Sequence, residues 1–188
     1  MSSILTVQQV SAYDAQHKPS FKVPWYPSLM ANAMNYRKAA DETAHVTPCK
    51  LAAVNQRETR GQNIFQIGMP HEDGCGVGDF QITSNVIWTH PESPTYPGYG
   101  PLLDRLTNAR VAAHEFLEPL ARQFPNSTLA QFAGFNLGGG GVAQELARGI
   151  SADAWTTDHD YGLDCFTHYI NFVAASSGLV VDWTTWRA

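Results

Sequence analysis

Glu58 stands apart from the other acids of this sequence. Leu51, Val54 and Glu58 follow i, i+3, i+7 spacing, which puts the carboxylate on the same helix face as an apolar stripe. Glu58 also falls in the last turn of that helix, just before Gly61. Partial burial and the negative end of the helix dipole both disfavour the ionised carboxylate and raise its pKa. An acid kept protonated near neutral pH is what a general acid needs. The spacing alone leaves a second reading open, an acid at the edge of the core paired with Arg57 or Arg60. Downstream, Gly74, Gly76 and Gly78 precede Asp79-Phe80-Gln81-Ile82-Thr83. Glycines there would let backbone approach a ligand closely, and Gln81 could hydrogen-bond it. Phe135-Asn136-Leu137 then runs into Gly138–Gly141, again suggesting backbone that lines a cleft. That run lacks a Gly-Lys-Ser/Thr ending and follows no strand, so it is not a phosphate loop.

Other chemistry is less well supported. The histidines are scattered without a metal-binding spacing. His71-Glu72-Asp73 are adjacent, and adjacent side chains rarely converge on one cation, so neither a metal nor a cofactor is expected. Cys49, Cys75 and Cys165 are an odd set with no Cys-x-x-Cys, which reads as free or buried thiols, with a Cys49–Cys165 pair left open. Asp104, Glu115, Glu118, Glu145 and Asp182 read as solvated. Asp41, Glu42, Glu92 and Asp153 fall at element ends or in loops.

These residues need elements to hold them. Residues 28–43 read as a helix with Ser28 as N-cap. A second helix starts at Thr47-Pro48, a good cap followed by a proline suited to the first turn, and stops at Gly61. Residues 61–83 are glycine-rich, with 65–67 and 80–83 as candidate strands, and 90–101 form a proline-rich loop. Residues 102–123 form a helix with the stripe Leu102, Leu106, Ala109, Ala113, Phe116 and Leu120, its end kinked by Pro119. Ser127 caps a helix that the glycine run breaks, and a short helix then closes at Gly149. A long helix runs from Tyr161 to about Ser176, and the tail after it packs as strand or coil.

Composition sets the outer limits. The 188 residues suit one domain with a substantial core. Only 15% are charged, against a usual share of about 25%. The net charge of -5 argues against binding nucleic acid or an anionic membrane, and 44% hydrophobic content argues against disorder. No stretch approaches the roughly 20 apolar residues of a membrane span, and no signal peptide is evident at the N-terminus.

Taken in order, these motifs resemble those of the goose-type lysozymes and the related soluble lytic transglycosylases. Glu58-Thr59 is similar to the family's Glu-Ser at a helix end. Gly78-Asp79-Phe80-Gln81 resembles its Gly-Leu-Met-Gln, and Gly134-Phe135-Asn136-Leu137-Gly138 its Ala-Tyr-Asn-Ala-Gly. Thr156-Thr157-Asp158-His159-Asp160-Tyr161 is similar to the Thr-Thr…Asp-Tyr segment that opens the last goose-type helix. Gly74–Gly78 looks like the glycine run before the Gln. The likeness spans residues 47–173, with 1–46 as an N-terminal extension packed on a catalytic domain of 47–188.

The resemblance implies a mainly α (α+β), lysozyme-like fold, a helical domain and a small β-containing lobe with a substrate cleft between them. It implies a muramidase that cuts the β-1,4 bond between N-acetylmuramic acid and N-acetylglucosamine, with Glu58 protonating the glycosidic oxygen. Gln81 and Asn136 would position the N-acetyl groups or the backbone beside Glu58. Phe80, Phe135 and Tyr161 would line the cleft, with Gly78 and Thr83 also facing substrate. A hydrolase needs a second carboxylate roughly 6.5–9.5 Å away to activate water. Thr83 occupies one of the family's acidic places, so Asp73 is the first choice and Glu72 the next, with Asp79 an unusual acid inside the motif. Without such a base, the sugar's own 6-hydroxyl would close a 1,6-anhydro product, the lytic transglycosylase outcome. A chitinase, to which Glu-Thr-Arg-Gly and the following glycines bear a fainter similarity, and a non-catalytic wall-binding module are the alternatives. The expected partner is the peptidoglycan glycan strand, met by a monomer without a cofactor. The expected setting is cytoplasmic synthesis followed by phage-type, endolysin-like release or delivery by a virion or secretion machine.

Overall fold

A computed structural model describes residues 26–66, 76–83 and 99–177. Glu72, Asp73, His71, His90, Cys75 and the tail after Ser177 lie outside the described residues. So does most of the proline-rich loop.

The first helical stretch is interrupted. Residues 28–43, expected as one helix, form α1 (Tyr26–Ala31) and α2 (Ala33–Asp41), broken at Asn32 (φ −101, ψ 0). Asn32 is fully buried, and its side-chain amide donates to Asp79 Oδ2 at 2.9 Å. Asn is prone to trade helical backbone geometry for side-chain bonds, and here a long-range partner wins. Ser28 is therefore not a cap, and its hydroxyl donates to the Arg60 carbonyl at 3.1 Å.

α3 (Pro48–Thr59) forms as its sequence dictates. The Thr47 hydroxyl accepts from Lys50 N–H, Pro48 sits at the first turn, and Arg60 ends the helix in the left-handed region (φ 58). Loss of such a cap typically costs ~1 kcal/mol. Leu51, Ala52, Ala53 and Val54 are completely buried. α3 has α2 on one side and the last helix on another, which explains why it is buried nearly all round.

Three two-residue strands follow, β1 (Phe65–Gln66), β2 (Gly76–Val77) and β3 (Ile82–Thr83), in an antiparallel sheet of order β1-β2-β3. Phe65 pairs with Val77, and Val77 with Ile82. Phe80 and Gln81, expected in a strand, instead belong to the turn that joins β2 to β3. Gly78 opens that turn at φ +78, where a Cβ would lie 2.6 Å from the Asn108 side chain. Asn108 accounts for the close approach: its Oδ1 accepts from Phe80 N at 2.9 Å and its Nδ2 donates to the Val77 carbonyl at 3.0 Å.

The segment expected as one helix over 102–123 is divided. α4 (Tyr99–Leu102) is a single turn, and its first residues were expected to be loop. Asp104 then caps α5 (Arg105–Val111) by accepting from Thr107 N–H. The chain widens into a π-helix over Ala112–Leu117 before α6 (Glu118–Gln123), with Pro119 in the first turn of α6. Proline cannot donate to the carbonyl four residues back and crowds it, and a widened turn relieves both problems.

Ser127 caps α7 (Thr128–Leu137), and Gly138 (φ +82) separates it from α8 (Gly139–Ala147). The glycine run is therefore not a cleft-lining loop, because Gly139, Gly140 and Gly141 begin a helix. α9 (Tyr161–Ser177) packs on both α3 and α7. The core holds Leu29, Tyr36, Leu51, Val54, Phe80, Leu117, Phe132 and Phe172 at 0–1% exposure, so residues before 47 share it with those after. Each such side chain contributes about 1.5–3 kcal/mol by burial. The protein is mainly α with a small antiparallel sheet.

Three acids read as solvated or loop-borne are buried instead. Glu118 pairs with His45 at 2.8 Å and with Arg122 at 3.1 Å. Asp153 accepts from Gly162 N and Leu163 N at 2.6 and 2.9 Å, capping α9 through space rather than from the residue before it. Glu145 is 2% exposed. Cys49 and Cys165 are buried and not disulfide-bonded. Among the described residues no helix is long and apolar enough to cross a membrane.

Candidate active site

Glu58 is the penultimate residue of α3 and is partly buried. Its Oε1 accepts from the Tyr161 hydroxyl at the start of α9. Burial pushes the carboxyl up to about 7, while the Tyr161 hydrogen bond and the Arg57 charge hold it back from rising further. Burial, and then the Glu58 charge, raise the Tyr161 phenol well above its usual value, so it remains a donor. Behind them Cys165 is fully buried, and burial keeps its thiol protonated.

Arg57 has other partners. It donates to Asp164 Oδ2 at 3.0 Å, Asp158 Oδ2 at 3.0 Å and Asp160 Oδ1 at 3.2 Å. Its guanidinium also lies 5.5 Å from the centre of the Tyr161 ring. Among the described residues Glu58 forms no ion pair, so the alternative of an acid neutralised by its neighbouring arginine does not hold. The cation that could have fully ionised Glu58 is shared among three other carboxylates.

The two late motifs meet. Asn136, the last polar residue of α7, accepts from Thr157 N at 2.9 Å and donates to Thr157 Oγ1 at 3.1 Å. Asp158 and His159 follow, both in the left-handed region (φ 60 and 57). Phe135 is partly buried against Phe116, with ring centres 5.3 Å apart. The loop that bears Thr157 is thus tied to α7 through Asn136, to α3 through Arg57 and to Glu58 through Tyr161.

Other expected site residues are placed differently. Phe80 is fully buried edge-on to Tyr36, 6.1 Å away, and is core rather than cleft wall. Gly78 packs against Asn108. Gln81 (φ 48) spends its amide on the Gly78 carbonyl at 2.8 Å and the Ile64 carbonyl at 3.3 Å, which braces the hairpin. Thr83 is exposed on β3. Asp79 is completely buried, bonded to Asn32 and 3.7 Å from Arg105, and burial raises its pKa. It is therefore not placed as a second catalytic carboxylate. Its backbone carbonyl instead accepts from Asn55 Nδ2 at 2.5 Å and Thr59 Oγ1 at 3.0 Å, tying the hairpin to the end of α3 next to Glu58. The two preferred bases, Asp73 and Glu72, lie outside the described residues.

Sequence reasoning missed the role of Arg57 and the acids at 158, 160 and 164. The available signal was Asp164 three residues after Tyr161, on the same side of α9. Among the described residues no group of three or more His, Cys, Asp or Glu is placed to hold a metal ion. Compared with protein-family models, curated proteins and solved structures, the chain matches none of them.

Proposed function

We propose that this protein is a peptidoglycan-cleaving glycosidase in which Glu58 is the general acid. One observation carries the reading: a carboxyl raised to about 7, paired with a neutral phenol while the adjacent arginine is engaged elsewhere. Such a group is partly protonated at neutral pH and can hand its proton to a leaving oxygen. The ordered likeness to goose-type lysozymes and lytic transglycosylases supplies the substrate class, and a mainly helical body with a small sheet is compatible with a lysozyme-like fold.

In this mechanism Glu58 protonates the glycosidic oxygen between N-acetylmuramic acid and N-acetylglucosamine as positive charge develops at C1. Tyr161 holds the carboxyl in one orientation. In hydrolysis, Asp73 or Glu72 then activates water. The second reading, a lytic transglycosylase, draws on the burial of Asp79, which removes one of the three candidate bases. Glu58 would then return as base to the 6-hydroxyl, giving a 1,6-anhydro end. Phage-type release or delivery by a virion or secretion machine fits either chemistry.

The test is lysis of purified peptidoglycan by wild type and Glu58→Gln, with products read by mass spectrometry. Loss of about 10²–10⁴ in rate in a folded variant supports the mechanism. Undiminished lysis overturns it. Reducing ends mean hydrolysis, and anhydro ends mean transglycosylation.

A further inference from the structure

Trp155 is the most exposed of the large apolar side chains described, at 67%. Its neighbours are firmly held. The Ala154 carbonyl meets His159 Nδ1 at 2.7 Å, and the Thr156 hydroxyl donates to Asp153 Oδ1 at 3.0 Å and to the Asp153 carbonyl at 3.1 Å. Two residues on, Thr157 is bound to Asn136. These bonds fix the backbone on both sides of Trp155. The same loop holds Asp158 and His159 in left-handed geometry, at a cost of order 1–3 kcal/mol each, the kind of local strain that persists where a surrounding network enforces it and that clusters at ligand sites.

The indole on this braced loop offers solvent a flat apolar face and a ring N–H. What it fits is set by its surroundings. Exposed polar residues follow it closely in sequence, Thr157, Asp158 and His159, with Asn136 bonded to Thr157. A single indole face on a polar loop is too small for a stable protein interface, which needs roughly 800 Å² per partner. It matches a pyranose ring, whose C–H face is apolar and whose edge carries hydroxyl and acetamido groups. Six residues further on, at the first residue of α9, Tyr161 reaches Glu58.

We propose that Trp155 is a stacking platform for one sugar ring of an N-acetylhexosamine strand, at a subsite beyond the ring cleaved next to Glu58. This deepens the proposed glycosidase reading and rests on it for the substrate class.

The experiment uses the full chain carrying Glu58→Gln, so that the ligand is not consumed. Chitohexaose and purified peptidoglycan strands are titrated by calorimetry, with tryptophan emission as a second readout. Adding Trp155→Ala should weaken binding about tenfold, while Trp155→Phe, which keeps an aromatic face, should stay within about threefold of the parent. Because Trp155 is exposed, neither change should alter the melting temperature. Equal binding by the alanine variant, or no binding of either glycan by the parent, overturns the proposal. Failure of the general-acid reading registers separately, as undiminished cleavage by Glu58→Gln that still carries Trp155.

Discussion

The Tyr161 hydroxyl donates to Glu58 Oε1 across 103 residues of sequence. The bond joins the C-terminal end of α3 to the first residue of α9. It anchors the acid to the helix that directly follows the loop carrying Trp155, Thr157 and Asp158. The hydrogen bond favours the ionised carboxylate, whereas burial favours the protonated one, and burial prevails.

Removing the phenol shifts that balance. Tyr161→Phe takes away a bond that lowers the Glu58 pKa, so the carboxyl should titrate at a higher pH. The alkaline limb of the pH–rate profile should move up with it. At neutral pH the rate should fall through loss of orientation, by roughly tenfold. A pH–kcat/KM profile of the variant on peptidoglycan checks both effects. An unmoved limb would mean that Glu58 is not the titrating acid.

The same carboxyl makes folding pH-dependent in an unusual sense for a glutamate. Its folded pKa of about 7 lies above the reference value of 4.5. The folded state therefore holds the proton more tightly, so the contribution is fully present below about 4.5 and is lost as pH rises towards 7. The loss amounts to roughly 3 kcal/mol at most. Glu58→Gln should abolish this part of the slope. Urea melts at pH 5 and pH 8 should show the variant gaining on wild type at the higher pH.

Arg57 should matter more for stability than for the chemical step. Arg57→Met leaves Asp164, 1% exposed in its side chain, without its guanidinium. Breaking a buried pair from one side costs about 3–5 kcal/mol. The double variant Arg57→Met/Asp164→Asn should recover a large part of that loss. Loss of the Arg57 charge should also raise the Glu58 pKa further. Thermal melts and a pH–rate profile report the two effects independently.

Asp79 tests the difference between a structural and a catalytic carboxylate. Asp79→Asn retains an acceptor for Asn32 and the backbone carbonyl that receives Asn55 and Thr59. Stability should change by about 1–2 kcal/mol, and the specific rate of the folded protein should stay within about threefold of wild type. A loss of about 10² or more in kcat with stability unchanged would restore Asp79 as a base.

Local rules made α3 legible. Thr47-Pro48 starts it, the apolar spacing orients it, and Glu58 falls in its last turn, all from short-range geometry. The same rules gave Ser127 as a cap and Tyr161 as the opening of the last helix. They failed where a distant group competes with the local preference. Asn32 breaks a helix to reach Asp79, and the glycines after Gly138 form a helix instead of a loop. Phe80 is drawn into the core from a turn that reads as a strand.

The sequence by itself determined which acid sits at a helix end on an apolar face, because periodicity and capping are properties of neighbouring residues. Tertiary structure decided what that acid faces. Arg57 is next to Glu58 in sequence, yet its charge goes to Asp158, Asp160 and Asp164, more than 100 residues away. Tyr161, read from sequence only as a cleft wall, is the hydrogen-bond partner of Glu58. The charge and protonation of Glu58 depend on burial and on groups brought together through space, and spacing along one helix carries neither.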